Sequence, residues 1–229
     1  MKSLSSTLAL VFSAGISFTS GAQNDNLKLN QVQVIGSHNS YRKAIEPKLF
    51  DAIHKLDTSR DLSGMQYDHV EITKQLNMGL RNLEIDIYAD SEGGRYAHPK
   101  GLDLAKPTVA YNTDGAMNKP GFKVFHVLDV DFRTWYTTFD ALLSDLKKWS
   151  DAHPNHEPIF ITLEPKDGDS KLGTVAESYT PQVFDAVDKT IIDNLGANKL
   201  ITPDAVRGSY KTLEDAVLHN NWPTLKQAR

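Results

Sequence analysis

Within a short apolar run, Asn82-Leu83-Glu84-Ile85-Asp86-Ile87-Tyr88, two acidic residues stand two positions apart. A strand alternates its side chains with a period of two, so Glu84 and Asp86 fall on one face and Leu83, Ile85 and Ile87 on the other. Both faces cannot be ordinary core. An unpaired buried charge is among the costliest groups a fold can hold, so the acidic face needs a compensating cation, a wet cavity or open solvent. Taken alone, the segment is either a solvated edge strand with alternating charge or one wall of a site.

The same pattern recurs along the chain. Residues 32–38 read as a strand running into His38 and Asn39, residues 122–126 as one ending on His126, and residues 158–164 as one ending on Glu164. In each, a polar group stands at the C-terminal end of an apolar strand, where barrels and other parallel α/β sheets keep their chemistry. Helical patterns lie between these strands. Asp68 and Glu71 have capping-box spacing before Ile72 and Leu76, and Gly79 marks the stop. Phe139, Leu142, Leu143, Leu146 and Trp149 form a helical stripe that ends before Pro154. Thr180 and Pro181 open another helix, with Phe184, Val187, Ile191 and Leu195 on one face and Gly196 at its close. A weaker fifth strand is predicted over residues 199–201. This alternation predicts an α/β fold with a parallel sheet and helices packed outside it. Residues 89–121 lack periodicity and read as a rim or lid over the same end as the polar residues.

Lys2, the apolar stretch from Leu8 to Phe18, and the small residues Ser20 and Ala22 read as an export signal over residues 1–22, leaving 23–229 as one domain. The expectation is a secreted or periplasmic protein with no transmembrane helix in its mature chain. The net charge is −4, and −5 without Lys2, which argues against a nucleic-acid partner. The chain has no cysteine, so disulfides, thiolate zinc sites and a cysteine nucleophile are excluded.

Asn39, Glu84, Asp86 and Glu164 offer only oxygen donors, which suits Ca2+, suits magnesium less well, and suits zinc poorly without histidine ligands. A strand-end acid can equally be a cap or half of a surface ion pair. Three at matching strand ends favour a site. Of the eight histidines, His38 and His126 end apolar strands. Such a residue is either a satisfied structural group or a proton carrier, and two beside an oxygen cluster favour the second. Arg42 and Lys166 are either solvated or positioned to meet a phosphate.

At this point the chain resembles a known family. Gly36-Ser37-His38-Asn39-Ser40-Tyr41, Leu83-Glu84-Ile85-Asp86, Phe125-His126 and Ile161-Thr162-Leu163-Glu164 are similar to the catalytic segments of phosphoinositide-specific phospholipases C. The secreted bacterial calcium-dependent branch is closest, through Gln75-Leu76, Gly79-Leu80-Arg81 and Asp131-Phe132-Arg133. The resemblance spans residues 31–227. It implies a distorted (β/α)8 TIM-type barrel with calcium at the C-terminal mouth, held by Asn39, Glu84, Asp86 and Glu164, and with His38 and His126 as catalytic residues. It also implies a phospholipid substrate met at a membrane surface and cleaved to diacylglycerol and a cyclic inositol phosphate.

Two rival readings remain. One is a glycerophosphodiesterase on the same barrel, although that family usually follows its first histidine with arginine and glycine, where this chain has Asn39 and Ser40. The other is a non-catalytic calcium- or phosphosugar-binding barrel. A barrel of this type needs eight strands and about 250 residues. Here four strands and a weak fifth precede Thr212, which caps a short helix, and Trp222-Pro223, which leads toward another strand. The expectation is a barrel incomplete at the C-terminus of this chain, part or partner of a longer enzyme, with exposed sheet edges and little activity alone.

Overall fold

Leu83, Ile85 and Ile87 are fully buried, which fixes the direction in which the central strand faces. The structure, a computed structural model, describes residues 25–229 apart from 57 and 60, so the export signal expected over 1–22 lies outside the described residues. Three strands form one sheet: β1 (Gly36–Ser37), β2 (Asn82–Ile87) and β3 (Phe160–Pro165), in the order β1-β2-β3, with both pairs parallel. The register sets Ile85 beside Leu163 and Asp86 beside Glu164. One face of the sheet is therefore apolar and the other carries carboxylates, as the period of two requires.

The apolar face is covered by two helices. In α4 (Phe139–Ala152), Phe139, Leu142, Leu143, Leu146 and Trp149 are buried, and the Thr138 side chain caps the first turn by accepting from Ala141 N. In α5 (Pro181–Leu195), Thr180 accepts from Val183 N and Pro181 occupies the first turn. Its packed stripe runs Val183, Val187, Ile191, Leu195, while Phe184 is turned partly outward against Tyr179. Leu143→Ala should cost about 2–5 kcal/mol, because it empties a buried site between sheet and helix. Denaturant unfolding with an unchanged slope checks this, and a loss below about 1 kcal/mol would contradict the packing.

Around this frame stand α1 (Pro47–Leu56), α2 (Ile72–Asn77), α3 (Gly101–Leu104), α6 (Pro203–Arg207) and α7 (Leu213–Leu218), the last two capped by Thr202 and Thr212. Glu71, not Asp68, is the N-cap of α2, and its carboxylate pairs with Lys74 instead of capping. Gly79, at φ +97°, stops that helix as expected. No helix among the described residues is long and apolar enough to cross a membrane.

Three strand expectations are corrected. Of residues 32–38, only Gly36 and Ser37 form a strand; Val34 and Ile35 are exposed, and the Ile35 carbonyl accepts from Arg81 N and Asn82 N at the start of β2. At Gly36 a Cβ would come within 2.3 Å of Asn82 O, so this close strand contact demands glycine. Residues 122–126 do not enter the parallel sheet. Lys123 instead exchanges both backbone hydrogen bonds with Tyr88 in an antiparallel bridge, while Val124 donates to Thr137 O, so the chain bends away. Residues 197–199 form a 3-10 turn, and no strand follows at 199–201. The 89–121 segment has a core of its own: Tyr96 and Met117 are buried with Tyr88, Phe125, Leu128 and Phe132.

Candidate metal centre and active site

Glu84 and Asp86 lie on the polar face of β2, and Glu164 lies beside Asp86 on β3. A carboxylate oxygen from each of the three comes within 4.8 Å of the others. Asp86 is fully buried, and neither of its oxygens receives a hydrogen bond; Glu84 Oε1 is likewise without a donor. Burial and then the neighbouring Glu84 carboxyl push Asp86 up to about 7, with Lys166 acting in the opposite direction. Lys166 Nζ lies 2.9 Å from Glu164 Oε1 and 3.4 Å from Asp86 Oδ2. Its hydrogen bond draws the Glu164 carboxyl below its ordinary value, against the opposing effect of burial. Burial also disfavours the Lys166 charge, but Glu164 and Asp86 outweigh it and hold the ammonium above the usual lysine value.

The donors fit a hard cation. They are oxygens only, mostly anionic, and two of the three converging residues, Glu84 and Asp86, carry buried oxygens with no hydrogen-bond donor. Asn39 completes the edge. Its backbone sits in the left-handed region at φ +51°, which turns its N–H onto Glu84 Oε2 at 2.6 Å. Its Oδ1 accepts from the Tyr41 hydroxyl at 3.0 Å and retains a second lone pair. Tyr41 is fully buried, and burial above all keeps its phenol neutral and able to donate.

His38 follows directly from β1. It is exposed, its Nδ1 is 3.3 Å from Asn39 Nδ2, and its carbonyl accepts from His69 Nε2 at 2.9 Å. The loop bearing it is bolted to β2. Ser40 N donates to Glu84 O and Glu84 N donates to Ser40 Oγ, while buried Gln75 donates to Ser40 O and accepts from Ser37 Oγ. His126 opens a tight turn in which Val127 pairs with Asp131, and Nδ1 of the ring donates to Asp131 Oδ2 at 2.7 Å. Its proximity also helps to hold the Glu164 carboxyl low, to a smaller extent than the Lys166 contacts.

The structure thus brings Glu84, Asp86, Glu164, Asn39 and Lys166 together, with His38 adjoining Asn39. Arg42, read as either solvated or positioned to meet a phosphate, is neither: its side chain is fully buried and paired with Asp131 at 2.7 Å. Asp131, Tyr41 and Tyr67 are contributors that spacing alone did not single out. Asp131 stands in the Asp131-Phe132-Arg133 motif of the resemblance, but as an acid five residues after a strand-end histidine it reads equally as a turn partner or a surface charge.

The comparisons extend this geometry. Residues 27–229 match the family model described as phosphoinositide phospholipase C, Ca2+-dependent. A comparison with curated proteins gives no match. Among solved structures, the chain is similar to the calcium-dependent phosphoinositol-specific phospholipase C from the Gram-negative bacterium Pseudomonas sp. In its apo form the identity is 20%, with 90% of this chain and 56% of that one covered and a TM-score of 0.52. Its myoinositol complex gives the same identity and coverage with a TM-score of 0.51. A Ca2+-dependent phosphatidylinositol-specific phospholipase C from Streptomyces antibioticus matches at 20% identity over 85% of this chain and 49% of that one, with a TM-score of 0.46. The chain spans about half the length of these structures. The Pseudomonas likeness concerns the fold, an α/β barrel of which the three described parallel strands are an arc.

Proposed function

Because the chain belongs to the Ca2+-dependent phosphoinositide phospholipase C family, we propose that it cleaves phosphatidylinositol between phosphorus and the diacylglycerol oxygen. The inositol 2-hydroxyl attacks phosphorus, its O–P bond forms as the bond to the glycerol oxygen breaks, and its proton passes to a base. A second proton goes to the departing diacylglycerol. A cyclic inositol phosphate remains, which water can open in a second step. The observation carrying this reading is the convergence of three carboxylates within 4.8 Å at neighbouring strand ends.

Asn39, Glu84, Asp86 and Glu164 would hold the calcium, which when bound acidifies a hydroxyl and offsets charge on phosphoryl oxygens. His38 and His126 divide the two proton transfers. His126 suits either, since Asp131 engages its Nδ1 and leaves Nε2 for the substrate. Lys166 adds positive charge at the rim of the carboxylates, on the side an anionic head group approaches. Residues 1–22 then act as an export signal, residues 23–229 contribute the catalytic barrel portion, and the substrate is met at a lipid surface outside the cytoplasm.

Product analysis on phosphatidylinositol, with calcium added or chelated, tests the reading. Diacylglycerol and a cyclic inositol phosphate are expected only with calcium. Release of glycerol 3-phosphate from glycerophosphodiesters instead, or turnover indifferent to chelation, would overturn it.

A further inference from the structure

Arg42 is fully buried, yet its guanidinium reaches both halves of the site. On one side Nε donates to Asp131 Oδ2 at 2.8 Å, and Nη2 lies 2.7 Å from the same oxygen. That oxygen also accepts from His126 Nδ1 at 2.7 Å. On the other side Nη1 donates to the Tyr67 carbonyl and Nη2 to the Met65 carbonyl, while the guanidinium lies 4.1 Å from the centre of the Tyr67 ring. The Tyr67 hydroxyl in turn accepts from Asn39 Nδ2 at 2.8 Å. A chain of direct contacts therefore runs His126, Asp131, Arg42, Tyr67, Asn39. Stability is a poor account of it, because burying an ion pair costs desolvation that its attraction often fails to recover.

We propose that Arg42 is a positioning residue that holds the two histidine-bearing segments in one geometry, fixing His126 through Asp131 and the Asn39–His38 corner through Tyr67. The effect on turnover rests on the phospholipase reading; the effect on His126 does not. A carboxylate oxygen only accepts, so the shared Asp131 oxygen requires a proton on His126 Nδ1, which in the neutral ring leaves Nε2 bare. The planar fork of arginine can meet that oxygen and the two carbonyls at once while stacking on a ring. Lysine, a point charge without the fork, cannot.

Two variants test this: Arg42→Met combined with Asp131→Leu, which removes the buried charges as a pair, and Arg42→Lys, which keeps the charge and loses the fork. In the native protein, nitrogen-resolved NMR of neutral His126 should place its proton on Nδ1, and in the double variant the proton should move toward Nε2. Both variants should lose turnover on phosphatidylinositol on the order of 10–100-fold, mainly in kcat with little change in KM, the scale of outer partners that orient a working group. Full turnover in either variant, or the same His126 tautomer with and without the pair, would overturn the proposal. Each variant stands as a test should the other fail to fold. A native protein that cleaves no phosphoinositide would sink the functional reading and leave the tautomer measurement to decide this one.

Discussion

Turnover of phosphatidylinositol should fall on the order of a hundredfold or more when either His38 or His126 is replaced by alanine, the usual worth of a general acid or base. Neither ring is buried in the apolar layer; His38 is exposed and the His126 side chain is 22% exposed, so the fold should survive both changes. Calcium binding should survive as well, because the converging oxygens belong to other residues. The two losses should differ with the substrate. A leaving group that departs without a proton should restore most of the activity of whichever variant lacks the acid and none of that lacking the base. Near-native turnover in either variant, on a substrate with an unactivated leaving group, would make that histidine structural.

Asp86→Asn should abolish tight calcium binding and lower activity with it, and excess calcium should recover part of the loss. Asp86 is the fully buried member of the carboxylate group, and its two oxygens lack hydrogen-bond donors. The replacement removes a buried charge that Lys166, 3.4 Å away, offsets only in part. Its titration gives a second readout that needs no turnover. In chelated protein, burial and Glu84 push Asp86 up to about 7, above its value in the unfolded chain. The folded state then binds the proton more tightly. Its contribution to stability is fully present below the unfolded value near 3.9 and is lost as pH rises through about 7. Thermal melts of metal-free protein should therefore decline across that window, calcium should reverse the decline, and the asparagine variant should flatten it. Melts of native and variant protein with the same pH profile, or native turnover untouched by chelation, would remove Asp86 from the metal centre.

The features legible in the sequence were those governed by local periodicity. The stripe from Phe139 to Trp149 and the cap at Thr180 need only a helix with one buried face. The pairing of Glu84 with Asp86 needs only a strand. Strand partners were harder to read, because pairing is decided by distant backbone. The apolar run 122–126 has strand composition, yet Lys123 joins Tyr88 antiparallel and buries its ammonium against Asp90 at 3.1 Å, a tertiary bargain absent from the local pattern. Arg42 escaped for a related reason. An arginine four residues after a histidine reads as a surface charge until the turn from His126 to Asp131 brings it a buried partner.

The register of β3 against β2 has a consequence for how this protein can fail. Asp86 stands beside Glu164, and Ile85 beside Leu163. Sliding β3 by a single residue would carry Glu164 into the helix-covered layer and bring Leu163 to the carboxylates, since a one-residue slip turns every side chain to the opposite face. Misassembly therefore cannot yield a slightly impaired centre that persists unnoticed; it yields a buried charge among leucines and a chain marked for unfolding. The alternation that builds the centre also acts as its proofreader, and a molecule that passes that check has its ligands placed.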